Sequence, residues 1–115
     1  MKKVLFVLIF CLLFSGCTKV EEVDLDKLMS ENNYVIVDVR TKEEYDELHV
    51  VDAVNIPYDE IGKDIDLDKD KLIFVYCRSG NRSSIAYDTL EDLGYKVYDL
   101  GGISDIDLPK KGVDD

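Results

Sequence analysis

The chain has 115 residues, 46% hydrophobic and 34% charged, enough apolar material for one packed domain and no room for a second core. Against 14 Lys+Arg stand 25 Asp+Glu, and a formal charge of -11 makes the chain a poor candidate for nucleic-acid binding, because phosphate recognition needs clustered positive charge. The acidity reads as a solvated surface, with no sign of disorder or of a repeat array.

Residues 1–16 read as an export signal. Met1-Lys2-Lys3 is a basic start, and Val4 to Phe14 is an unbroken apolar run. As a helix that run is about 16 Å long, roughly half the ~30 Å hydrocarbon core of a bilayer, too short for a permanent span. Ser15-Gly16 directly precede Cys17. This resembles a lipoprotein signal, in which lipid is attached to the cysteine and cleavage falls just before it. Phe14 stands where such signals commonly carry Leu, and secretion with cleavage near Gly16 is the competing reading. Bulky Phe10 keeps Cys11 out of that role. The resemblance implies a partner in the membrane itself, reached through a diacylglyceryl and palmitate-type anchor on Cys17, at the outer face of the cell membrane or in the periplasm. Processing would take the side-chain charge from -11 to -13 by removing Lys2 and Lys3. It would also leave Cys77 as the one unmodified thiol, with no intramolecular disulfide to form.

Residues 17–23 form the lipidated cysteine and a short polar linker. Asp24 can cap a helix whose apolar positions Leu25, Leu28 and Met29 follow helical spacing. Tyr34 to Val37 is a β-branched run suited to a buried strand. Thr41-Lys42-Glu43-Glu44 has the capping-box form, predicting a helix to about Leu48 with Glu44 assigned to its cap. Val54 to Ile56 reads as a strand stopped by Pro57, and Asp59 to Asp70 as an acidic, turn-like stretch. Leu72 to Tyr76 is a second strong strand. Ser83 to Leu93 has helical spacing and ends at Gly94, and Val97 to Leu100 is a third strand. Strands alternating with helices predict a single α/β domain, its central sheet largely parallel and helices on both faces. Ligand sites in such sheets lie at the carboxyl ends of the strands.

The segment after the second strong strand is Cys77-Arg78-Ser79-Gly80-Asn81-Arg82-Ser83. It places a thiol at a helix N-terminus, among unpaired N–H groups and partial positive charge. Gly80 and Asn81 tolerate positive φ, so the loop can curl its amides inward as an anion nest. Arg78 and Arg82 add two cations. Each of these favours the nucleophilic thiolate. An inert cysteine at the end of a buried strand is the plainer alternative, and two arginines and a glycine within six residues weigh against it.

At this loop the chain resembles the rhodanese-like sulfurtransferases. Val37-Asp38-Val39-Arg40 followed by Glu44-Tyr45, then Ala53-Val54-Asn55-Ile56-Pro57, Leu93-Gly94-Tyr95 and Leu100-Gly101-Gly102-Ile103 resemble the family's other signatures in order. The resemblance runs over residues 24–109, leaving 110–115 as a polar tail. It implies a Cys77 persulfide formed from a small anionic sulfane-sulfur donor such as thiosulfate. The sulfur then passes to a thiol, a cyanide-like nucleophile or an unidentified protein acceptor. Loop residues Arg78, Ser79, Gly80, Asn81 and Arg82 would bind the donor, with Asp38, Arg40 and His49 in supporting structural roles. No cofactor or metal is implied. The family's Gly-His-Ile-x-Gly-Ala is here Leu48-His49-Val50-Val51-Asp52-Ala53, so a different turn is expected, and Ile106 stands where the closing segment often has Trp. Two other readings compete: a lipid-anchored binding or sensing module without turnover, and a cysteine phosphatase or arsenate reductase. The last is disfavoured because four residues separate Cys77 from Arg82, whereas phosphatase cradles need Cys-x5-Arg.

Overall fold

The unbroken apolar run of the strand Leu72–Cys77 sets the architecture. Ile73, Val75 and Cys77 point to one face of the sheet, and Phe74 and Tyr76 to the other, all buried. The computed structural model describes residues 24–112. The export signal expected over residues 1–16, Cys17 and the residues up to 23 lie outside the described residues. Among the described residues no helix is long and apolar enough to cross a membrane.

In chain order the elements are α1 (Leu25–Glu31), β1 (Tyr34–Asp38), α2 (Lys42–Glu47), β2 (Leu48–Val50), β3 (Val54–Asn55), β4 (Leu72–Cys77), α3 (Asn81–Asp92), β5 (Lys96–Gly102) and β6 (Lys110–Gly112). Single turns of 3-10 helix occupy Tyr58–Glu60 and Ile103–Asp105. Four strands form one parallel sheet in the order β3-β1-β4-β5. α3 packs Ala86 and Leu90 into the core on one face, and Leu25, Leu28 and Met29 of α1 cover the other. The fold is the expected single α/β domain.

Local chemistry explains the helix ends. Asp24 accepts the Lys27 amide at 3.1 Å, and Thr41 with Glu44 forms the predicted capping box. At the end of α3 the Gly94 amide donates to Glu91 O and the Tyr95 amide to Leu90 O, with Gly94 at φ 97°. These bonds make a Schellman stop.

Two short strands depart from the sequence reading. α2 ends at Glu47, and Leu48–Val50 pairs antiparallel with Lys110–Gly112 in a second, two-stranded sheet. The polar tail expected from residue 110 therefore begins inside the folded domain, because its backbone satisfies β2. In the Val51-Asp52 turn Asp52 takes φ 72°, the left-handed conformation that glycine favours.

Candidate active site

Where β4 meets β5, a bulge shifts the register. Val75 faces Asp99, but Tyr76 faces Gly101 and Cys77 faces Gly102. Gly101 sits at φ 82°, and its amide donates to the Asp99 carboxylate at 2.9 Å. This brings two glycines beside the chain leaving Cys77. A Cβ on Gly102 would lie 2.6 Å from Arg78 O and 3.3 Å from the Ser79 Cα, so only glycine lets the loop pass there. Gly102→Ala is expected to displace the loop and lower stability by about 1–3 kcal/mol, read as a shift of the urea midpoint.

Cys77 ends β4 on the face covered by α3. Its Sγ accepts the Gly80 amide at 2.9 Å and lies 3.5 Å from the Ser83 Oγ. Gly80, at φ 101°, caps α3 in a left-handed conformation that turns its N–H toward the sulfur. The helix thus starts two residues before the predicted Ser83. Burial opposes the thiolate. Hydrogen bonds from the Ser83 hydroxyl and from the amides of Ser83, Gly80 and Ser79 outweigh it and hold the thiol below its ordinary range. The Ser83 hydroxyl is a contributor that sequence reasoning missed. The only signal for it was a serine one helical turn from Gly80.

The two arginines have different surroundings. Arg82 does not face a donor freely: its guanidinium clasps the Glu44 carboxylate through both nitrogens, at 2.8 and 3.0 Å. Glu44 therefore pairs with Arg82 as well as closing the cap of α2. The reason is long-range. The α2 cap delivers the Glu44 carboxylate to the first turn of α3, and nothing in the local sequence announces the meeting. Arg78 is exposed, with its nearer nitrogen 3.8 Å from Glu44. Ser79 and Asn81 are exposed on the rim, and Gly80 is half-buried.

Glu44 consequently titrates far from its usual place. Hydrogen bonds from Arg82, then from the Thr41 cap, lower its carboxyl from 4.5 to about 2 against the opposing effect of burial. A folded-state value below the unfolded one means the stabilisation is complete above pH 4.5 and is lost as pH falls through about 2. In acid-unfolding curves Glu44→Gln is expected to flatten the slope over that window.

Asp38 and Arg40 lie beside Tyr76 at the carboxyl end of the sheet, and His49 lies elsewhere. Arg40 Nη2 meets Asp38 Oδ2 at 2.6 Å, and both residues are buried. Arg40 also donates to Leu48 O, and its guanidinium lies 5.6 Å from the Tyr76 ring centroid. His49 stacks on Tyr45 and holds Tyr45 O at 2.7 Å through Nδ1, a contact of α2 with β2 and not of the sulfur site. A separate shallow cleft of about 250 Å³, lined by Lys63, Ile65, Lys69, Leu93 and Tyr95, sits at the opposite, amino end of the sheet. Among the described residues no group of His, Cys, Asp and Glu could hold a metal.

Comparison with known proteins places this geometry. The rhodanese-like domain profile matches residues 21–107. The chain is 40% identical over 78 residues to the thiosulfate sulfurtransferase PspE of Escherichia coli, covering 64% of this chain and 75% of that protein. It is 40% identical over 95 residues to a probable molybdopterin-synthase adenylyltransferase of Porphyra purpurea, covering 74% of this chain and 25% of the relative. The chain therefore spans about a quarter of that relative's length. A solved rhodanese with anions from E. coli superposes with a TM-score of 0.64 at 37% identity, covering 69% of this chain and 98% of that one.

Proposed function

Because the chain belongs to the rhodanese-like domain family, we propose that it is a sulfurtransferase that carries a sulfane sulfur as a persulfide on Cys77. The observation that carries this reading is the Cys77 sulfur at the N-terminus of α3, receiving the Gly80 amide at 2.9 Å. Only the four residues Arg78-Ser79-Gly80-Asn81 separate it from the side of Arg82. Such a loop leaves a single sulfur to be stabilised and lacks the extra residue of a phosphate cradle.

The thiolate of Cys77 attacks the outer sulfur of a donor such as thiosulfate. A new S–S bond forms, the donor's S–S bond breaks, and sulfite leaves with the bonding pair. The terminal persulfide anion is held by the loop amides. A nucleophile, a thiolate or cyanide, then attacks that outer sulfur and the Cys77 thiolate departs. No proton needs to move at either step, in keeping with a chain whose one histidine, His49, lies against Tyr45 and away from the sulfur. Cys77 is fully buried at the start of the Arg78–Arg82 loop.

The test uses the full chain, purified in detergent and incubated with thiosulfate. Intact mass should show the gain of one sulfur atom, removed by cyanide with release of thiocyanate. A chain that never retains sulfur would sink the reading. The buried sulfur favours one second reading, a sulfur-holding or sensing module, whose signature is the adduct without turnover.

The N-terminal sequence supports export and lipid anchoring at Cys17, at the outer face of a membrane. The polar residues 18–23 span at most ~20 Å, which keeps the domain near that surface. A Cys17→Ser chain that still fractionates with membranes would overturn the anchor.

A further inference from the structure

Glu44 is the charged hub of the loop. One oxygen accepts the Thr41 amide and hydroxyl, each at 3.1 Å, and the same carboxylate holds Arg82 at 2.8 and 3.0 Å. It also lies 3.8 Å from Arg78, whose side chain is 74% exposed against 19% for Glu44. Two cations and one anion leave the rim with a single net positive charge. Asp38 and Arg40 cancel each other beneath it.

Resting on the sulfurtransferase reading, we infer that Glu44 is a specificity-determining residue that biases the site toward sulfane donors with one negative charge over dianions. A dianionic donor meets one uncompensated cation, because the Glu44 carboxylate stays paired with Arg82 when Arg78 turns to the donor. A singly charged donor, of the form R–SO2–S⁻ or R–S–S⁻, is matched by Arg78 alone. Glu44 touches neither the sulfur nor the donor. It acts through the charge it subtracts from Arg82 and Arg78.

A pair of donors that share the transferred sulfur and differ by one charge reads this directly: thiosulfate as dianion and methanethiosulfonate as monoanion, with cyanide as acceptor. Measured on the full chain in detergent at low salt, Glu44→Gln is expected to raise the thiosulfate-to-methanethiosulfonate ratio of kcat/KM about five- to tenfold. The gain should shrink at high salt, since the rim is open to screening. The amide oxygen of the introduced glutamine can keep the cap contacts. If that variant does not fold, the exposed Arg78→Gln decides alone, with a shift of the ratio in the opposite direction by a similar factor. Ratios unchanged in both variants, or unchanged in Arg78→Gln where the other is unfolded, overturn the inference while persulfide formation stands. A wild-type chain that forms no persulfide with either donor overturns the sulfurtransferase reading and the inference with it.

Discussion

Cys77→Ser is expected to abolish sulfur transfer, lowering kcat/KM by more than about a thousandfold, to the uncatalysed background. The substitution is small in shape and total in chemistry. A serine hydroxyl at this position stays protonated at neutral pH and forms no persulfide, so both half-reactions lose their carrier. The loop should hold, because a hydroxyl can still accept the Gly80 amide that now reaches the sulfur at 2.9 Å. Thermal melting should therefore be little changed, and intact mass after thiosulfate should show no added sulfur. In the wild-type chain, alkylation of Cys77 should rise with pH to a midpoint below the ordinary 9.0, since the Ser83 hydroxyl and the loop amides favour the thiolate beyond what burial removes. A Cys77→Ser chain that still turned over would place the chemistry elsewhere.

The second large effect is on stability. Asp38→Asn is expected to cost about 3–5 kcal/mol, because it leaves the Arg40 guanidinium buried without its counter-charge. Asp38 is fully buried and Arg40 5% exposed. The carboxylate takes the Arg40 backbone amide and Nε at 2.9 Å as well as Nη2. An asparagine supplies one acceptor oxygen in place of two and turns an NH2 toward the guanidinium. For a domain of this size the loss corresponds to a melting temperature lower by roughly 12–40 °C. The paired replacement Asp38→Leu with Arg40→Met should recover much of it, since a buried ion pair contributes little net stability over apolar side chains of like volume. A single variant that melts with the wild type would show that water reaches the pair.

Asp38 and Arg40 stand two residues apart, and contacts of that range could be read in advance. The β1, β4 and β5 strands were legible because a run such as Leu72 to Tyr76 can only be buried on both faces. The caps at Asp24, Thr41 and Gly94 were legible because each is closed by residues within a few positions. The strands β2 and β6 were not. Leu48-His49-Val50 and Lys110-Lys111-Gly112 are only three residues each, too short for a period to show, and each is a strand only because the other lies beside it. The same holds within the site. The Gly80–Cys77 contact spans three residues, whereas the Arg82–Glu44 ion pair spans 38 and carries no local signal.

By itself the sequence determined the α/β order of elements, a thiol between a buried strand and a helix, and a loop of fixed length with glycine where its backbone must turn. Each follows from hydrophobic period, cap chemistry or φ preference, which act over a few residues. Only the tertiary structure decided which cation stays at the rim, why Gly102 must lack a side chain, and how the chain after Pro109 joins the domain. Those depend on segments remote in the chain arriving at one place, and a carboxylate or a carbonyl acts on whatever group the fold sets beside it.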